Sequence, residues 1–364
     1  VKIRTASEYQ NLCSKYSISF LQSYEWGEVK RPEWEPLRLV FDDYPITILI
    51  RRIPLPLIKW KIAYIPRPFY NFSDFAERKN LSGEAEVIPE VDQQRLKRIL
   101  KGIVAYLKGN GEFSHVEIDP SFINSLDIQQ IFTEVGFVAS GEQYQLNNTN
   151  IIDLSCGIES LWKSLDSQTR NKIGRPEKLG CKFEMYEKGE EPIERFWKIM
   201  DSITKTTTYI THPKEYFKKV WRIMSGSNKA VITLITCDEM DIGGYFSTKS
   251  KDTLWELYGG LNEEGKKIRG AGYFLKWKSI ENACKLGIKF YDQWGTAPLR
   301  KIQNNLKYDK GHALYNISLF KKEFGGEHFS YLPKQVYVFN DLLYKTFNLG
   351  NFGFTLFKKL RKML

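Results

Sequence analysis

Apolar positions along the chain keep two rhythms, alternation and three- to four-residue spacing, and the switches between them mark the elements. Alternating, β-branched runs predict strands over 37–41, 47–53 and 61–65, with Asp42-Asp43-Tyr44-Pro45 turning the first into the second. A short strand over 1–4 and a helix through Tyr9 and Leu12 precede them. Polar residues 73–92 predict a loop, and 92–108 a helix. His115 to Asp119 then reads as a strand that Pro120 stops, followed by a helix over 125–135 and a strand from Gly136 toward Gln145.

The second half repeats this order without a visible sequence repeat. A strand over 151–154 and a helix through Trp162 and Leu165 come first, then helices over 192–204 and 214–224, the latter opened by Pro213. Strands over 230–236, 243–248 and 253–258 follow, the last ended by Gly259-Gly260. From 273 to 286, Phe274, Leu275, Trp277, Ile280, Ala283 and Cys284 make one apolar helix face, which leaves Lys and Glu for the other. Gly287 suits a C-cap before a strand over 288–292. Residues 296–311 read as a mobile cationic insert, 333–338 as a strand and 341–364 as a helix with a basic end. The polar run Asn147-Asn148-Thr149-Asn150 reads as a hinge, so the expected divisions are 1–149, 150–331 and a C-terminal strand and helix over 332–364.

Composition narrows the class. At 364 residues two cores are expected, and 42% hydrophobic with 14% aromatic residues supports globular folding. The excess of 54 Lys+Arg over 43 Asp+Glu, a net +11, suits an anionic partner and equally an inert basic surface. Five scattered cysteines show no metal spacing, so no metal is expected, and they read as reduced thiols of a cytoplasmic protein. No apolar run approaches the ~20 residues of a membrane span, and the first residues lack a signal-peptide core.

Several residues then stand out, each with a plainer alternative. Lys30 lies four after Trp26 on one helical face and can simply complement the helix dipole. Asp119 ends a strand, where it can line a cleft or cap a helix starting near Ser121. Arg170, Lys172, Arg175 and Lys178 form either a solvated helix face or a strip for phosphates. His212 and Tyr216 bracket a helix start, and Tyr258 ends a strand; tyrosines so placed are commonly packing groups. The segment 266–272 resembles the phosphate loop of acetyl-CoA-dependent GNAT enzymes, with Lys267 in place of Arg or Gln, and is equally a flexible loop. Phe320 and Lys321 stand just before the tight turn Phe324-Gly325-Gly326.

Six blocks in order, FLQSYEWGEVK (20–30), YIPRP (64–68), DLS to TRNKIGRPEKLG (153–180), LYGG (257–260), AxxxGIxxYDxWG (283–295) and FKKEFGG (320–326), resemble the Fem-type peptidoglycan bridge aminoacyltransferases. The resemblance implies an α+β fold of two tandem acyl-CoA N-acyltransferase-like (GNAT) domains with a cleft between them, without the coiled-coil arm of some members. It implies transfer of an amino acid, of the Gly, Ala or Ser class, from aminoacyl-tRNA to a stem-peptide amine of UDP-MurNAc-pentapeptide or lipid II. It implies no cofactor, a monomer, and a cytoplasmic location with peripheral contact at the inner membrane face as an option. Lys321 then supports the oxyanion and Phe320 shapes the pocket. Lys30, Asp119, His212, Tyr216 and Tyr258 bind the precursor, and Arg170, Lys172, Arg175 and Lys178 meet tRNA. His212 departs from the arginine that relatives commonly carry, and a neutral imidazole clamps a diphosphate less well. The alternatives are an acyl-CoA-dependent N-acyltransferase on a sugar or peptide amine, and a non-catalytic RNA- or precursor-binding protein.

Overall fold

The structure, a computed structural model, describes residues 2–3, 5–16, 18–52, 60–69, 90–141, 143–206, 211–302 and 305–349. The expected loop over 73–92 lies almost wholly outside them, as does the basic end 350–364. The chain divides into one unit of Val1–Gln145 with Tyr331–Leu364 and a second of Leu146–Ser330.

The first unit begins with β1 (Lys2–Ile3) and α1 (Ala6–Lys15), whose N-terminus is closed by a Thr5–Glu8 capping box. A single 3₁₀ turn leads into α2 (Tyr24–Lys30), capped by the Ser23 side chain. Strands β2 (Glu35–Phe41), β3 (Tyr44–Arg52) and β4 (Lys61–Pro66) form an antiparallel meander. Asp42 and Asp43, at φ 46° and 60°, make the tight turn between the first two. Helix α3 (Glu90–Gly109) crosses over to β5 (Phe113–Asp119), which pairs parallel to β4. Helix α4 (Leu126–Val135) ends on Gly136 in the left-handed region at φ 101° and leads to the two-residue β6 (Val138–Ala139), far shorter than the strand expected there.

The second unit opens with β7 (Asn148–Asp153), so the polar run expected to be a hinge is largely strand, with Thr149 and Asn150 buried. The reason is pairing: the polar side chains sit between two partner strands, one of which supplies Asp292 to accept from Thr149. Helices α5 (Ile158–Ser164) and α6 (Ser167–Lys178) lead to β8 (Lys182–Tyr186). Helices α7 (Glu191–Thr206) and α8 (Lys214–Gly226) precede the meander β9 (Ala230–Cys237), β10 (Met240–Lys249) and β11 (Thr253–Leu261). β11 runs straight through Gly259 and Gly260, which were expected to end it. A Cβ on Gly259 would meet the Gly244 carbonyl oxygen at 2.1 Å, so the glycine marks close approach of two strands rather than a turn.

Helix α9 (Glu263–Lys267) and helix α10 (Ala271–Lys285) form the crossover to β12 (Phe290–Asp292), parallel to β11. The expected mobile insert is a paired ribbon, β13 (Leu299–Ile302) and β14 (Asn305–Tyr308). Helix α11 (Tyr315–Lys322) and β15 (Glu327–Ser330) complete the unit. The chain then returns to the first unit as β16 (Gln335–Val338), antiparallel to β5.

Among the described residues the two large sheets have seven strands each, ordered β1-β2-β3-β4-β5-β16-β6 and β15-β7-β12-β11-β10-β9-β8. Each sets a meander beside one parallel pair made by a helical crossover, with antiparallel strands beyond it. The two halves thus repeat an architecture that their side chains do not advertise. Among the described residues no helix is long and apolar enough to cross a membrane.

Candidate active site

In the second unit the candidate residues Phe320 and Lys321 stand beside the parallel strands β11 and β12 and the two helices α10 and α11. Lys321, in the last turn of α11, is 7% exposed and donates to the carbonyl oxygens of Trp294 at 2.9 Å and Gly295 at 2.8 Å. Those carbonyls follow β12, where Trp294 takes φ 56° and its N–H donates to Asp292. The Gln293 side chain donates to the Lys321 carbonyl, tying the same segment to α11. Burial, then the charge of Lys276, lowers the Lys321 ammonium from 10.5 to about 7, with Glu256 and Asp292 opposing. Phe320 packs edge-on against Tyr273 and Phe324, at 5.1 and 5.2 Å.

Beneath this lies a cluster that periodicity did not expose. Lys276, on the apolar helix α10, is fully buried, and its ammonium lies 2.6 Å from both carboxylate oxygens of Glu256. The Tyr291 hydroxyl donates to Glu256 Oε2 at 2.6 Å. The helical pattern put lysines on the outward face, but Lys276 sits between Leu275 and Trp277 and turns inward with its counterion. That was the one available signal.

Three expected substrate contacts also meet in this unit. The His212 imidazole stacks on Tyr216 with centroids 3.9 Å apart and stands edge-on to Tyr258 at 6.1 Å. Phe217 packs against the same group, 5.0 Å from Tyr258. Pro213 is the N-cap of α8, so His212 and Tyr216 flank its first turn as expected.

The four cations of α6 do not share one open face. Arg170 donates to the carbonyls of Trp162, Lys163 and Leu165, closing the end of α5. Lys172 donates to the Tyr273 hydroxyl at 3.0 Å and to Glu323 at 2.9 Å, and these two bonds raise its pKa. Arg175 and Lys178 are exposed. The segment resembling a phosphate loop is packed as well: a Cβ on Gly270, φ 94°, would meet the Lys172 carbonyl oxygen at 2.2 Å, and Lys267 pairs with Glu264.

In the first unit, Lys30 lies over the Trp26 ring at 4.6 Å, the contact its four-residue spacing predicts. Asp119, buried at the end of β5, accepts from the Tyr64 hydroxyl at 2.6 Å. Burial pushes this carboxyl up, with Arg67 and Tyr64 opposing. The next described helix, α4, starts later and is capped by Ser125 instead. Two residues before it, Glu117 pairs with the buried Lys334 of the returning segment at 2.8 Å, a partnership the sequence did not signal across 217 positions.

Residues 163–298 match the acetyltransferase (GNAT) domain family. No curated protein matches the chain. Among solved structures, FemX is similar at a TM-score of 0.75 with 16% identity, over 94% of this chain and 98% of that one. The L-PGS of Bacillus licheniformis is similar at 0.55 with 11% identity, over 96% of each chain. The C-terminal domain of a putative lysylphosphatidylglycerol synthetase from Agrobacterium fabrum reaches 0.50 with 12% identity, over 93% of each. With a GNAT domain matched in its second half and FemX similar over nearly its whole length, the chain has the fold of a Fem-type protein built from two tandem GNAT-like domains.

Proposed function

We propose that this protein is a Fem-type aminoacyltransferase that moves an amino acid from aminoacyl-tRNA to a stem-peptide amine of a peptidoglycan precursor, nucleotide- or lipid-linked. The observation that carries the reading is Lys321, a buried amine held by two fixed carbonyl oxygens beside Phe320. An aminoacyl ester is already activated, so the site must position an amine against it and stabilise the negative charge that builds on its carbonyl oxygen. In the transfer, the amine nitrogen forms the C–N bond, the ester C–O bond breaks, and the proton lost by nitrogen ends on the departing ribose oxygen. The third N–H of the Lys321 ammonium, beyond the two used by Trp294 and Gly295, is the donor for the oxyanion.

The aromatic group His212, Tyr216 and Tyr258 supports binding of the precursor in the second domain, and Lys30 and Asp119 in the first. Cations exposed on α6, Arg175 and Lys178, suit the tRNA backbone. The Ile268 and Ala271 N–H groups of this segment are already spent on the carbonyls of Gly265 and Ile268, which argues against the acyl-CoA alternative, whose pyrophosphate needs free backbone donors there.

The test is incubation with a mixed pool of charged tRNAs and both precursor types, read by mass spectrometry. A precursor heavier by one aminoacyl residue, absent when the tRNA is deacylated, is the expected product. Acetylation of an amine by acetyl-CoA in place of that product would overturn the reading.

A further inference from the structure

Residues 299–310 hold four cations and a single acid, and their two strands, β13 and β14, form a ribbon that belongs to neither seven-stranded sheet. A two-stranded ribbon alone is marginal in water, so its base must be fastened. Here Tyr308 is buried with its ring 5.6 Å from His328, the Asp309 N–H donates to the Pro298 carbonyl at 2.9 Å, and Arg300 pairs with Asp309 at 2.7 Å. Beyond that base the ribbon is open on both faces: residues 300–302 and 305–307 are all exposed.

Two features of the open part do nothing for its own stability. Ile302 and Leu306, 43% and 62% exposed, stand at the far end, where Ile302 faces Asn305 and Leu306 faces Lys301. The next pair back sets Arg300 opposite Lys307, like charges in a cross-strand position that disfavours them. Arg300 takes the one acid of the segment, which leaves Lys301, Lys307 and Lys310 exposed without a carboxylate from it. Helix α11, which packs beside β14, exposes two more aliphatic side chains, Ile317 and Leu319. Aliphatic groups ahead of a belt of cations match a bilayer surface. The aliphatic chains enter the boundary between head groups and acyl tails, and the ammoniums stay among anionic head groups. RNA answers less of this pattern, because single-stranded bases are met by aromatic rings, and the far end of the ribbon carries Ile302 and Leu306 instead.

We propose that the β13–β14 ribbon is a docking surface for an anionic lipid bilayer, with Ile302 and Leu306 entering the interface and Lys301, Lys307 and Lys310 meeting the head groups. The proposal stands apart from the transferase reading. Joined to it, it favours the lipid-linked acceptor over the nucleotide-linked one, because the helix beside β14 also carries Lys321.

The experiment uses the whole chain and vesicles of phosphatidylcholine, alone or mixed with phosphatidylglycerol, with bound protein measured by flotation. Wild type should float with the anionic vesicles and not with the neutral ones. Ile302→Asn/Leu306→Asn removes the aliphatic end and keeps every charge, and binding should weaken by about tenfold or more, since aliphatic surface then stays in water. Lys301→Gln/Lys307→Gln/Lys310→Gln should weaken it on the order of a hundredfold. Every substituted position is exposed, so both variants should melt as wild type does. Wild type that stays off anionic vesicles, or variants that bind them as tightly as wild type, would overturn the proposal. So would loss in the lysine variant alone, which marks a charged surface that nothing enters, or loss of tRNA in filter binding by that variant with vesicle binding intact, which marks an RNA face. Vesicle binding with the expected losses, in a protein that transfers no amino acid, would uphold the docking surface and sink only the transferase reading.

Discussion

Lys321 Nζ is held 2.8 Å from the carbonyl oxygen of Gly295, and this bond fixes a side chain with four rotatable carbons to one direction. The Trp294 carbonyl supplies a second tether at 2.9 Å. A donor so fixed needs no rearrangement when charge develops nearby, which is where electrostatic catalysis gains most. Lys321→Met keeps the length and apolar stem but removes the donor. Turnover should fall on the order of 10²–10³-fold, the loss typical of a deleted oxyanion donor. Acceptor affinity, measured by calorimetry, should be nearly unchanged. A parallel rise in KM with intact kcat would instead make Lys321 a binding group.

The same burial sets a pH dependence of stability, and its sign follows from proton counting. The Lys321 amine titrates at about 7 folded and 10.5 as an ordinary lysine, so between these values the unfolded chain binds more protons. Stability from this group therefore increases as pH climbs from about 7 toward 10.5. Turnover that needs the ammonium falls over the lower part of the same window. Urea unfolding at pH 7, 8 and 9 should show wild type gaining on Lys321→Met as pH rises. Parallel curves for the two proteins would mean that Lys321 is not titrating in the folded state.

Gly259 separates a close backbone approach from a turn. It adopts φ 140°, and an added methyl would lie 2.1 Å from the Gly244 carbonyl oxygen and 2.7 Å from the Tyr245 ring. The carbonyl is backbone of the paired strand β10, so it cannot move away without breaking the ladder. Gly259→Ala should destabilise by about 1–3 kcal/mol, the range of overpacking in a filled interior, and should disturb Tyr258 next to it. Chemical denaturation checks the first effect. Gly174→Ala, where the methyl would meet no atom within 4 Å, serves as the neutral comparison.

The elements that sequence reasoning found are those whose signal is local. Trp26 and Lys30 lie on one face because four residues make about one helical turn, and the Asp42-Asp43 turn follows from residues that tolerate positive φ. The failures share a different cause. Asn148 to Asn150 are polar and still form an inner strand, because Asp292, more than 140 positions away, answers Thr149. Gly259-Gly260 looks like a turn until β10 is laid beside it. Lys276 looks like surface until Glu256 and Tyr291, 20 positions before it and 15 after it in sequence, are brought to the same point. Blocks of residues carried the family resemblance and drew attention to Lys321. The Lys276–Glu256 ion pair is nonlocal, and no periodicity encodes it.

The cations of α6 divide into two pairs with different physics, and that division is testable. Lys172 bridges Tyr273 and Glu323, which join α10 and the end of α11, so its loss removes two hydrogen bonds inside the domain. Lys172→Met should lower the melting temperature, since hydrogen bonds to a charged group contribute about 1.5–3 kcal/mol. Arg175 and Lys178 stand exposed three residues apart in the last turn, where they complement the helix dipole and present charge to solvent. Arg175→Glu/Lys178→Glu should change the melting temperature little, yet weaken binding of aminoacyl-tRNA. Lost phosphate contacts should also flatten the salt dependence, by about 0.7–0.9 in log K against log salt for each one. Filter binding of charged tRNA from 50 to 300 mM salt measures both quantities. An unchanged slope in the double variant would remove this face from the tRNA path and leave α6 a packing helix whose last turn merely happens to be basic.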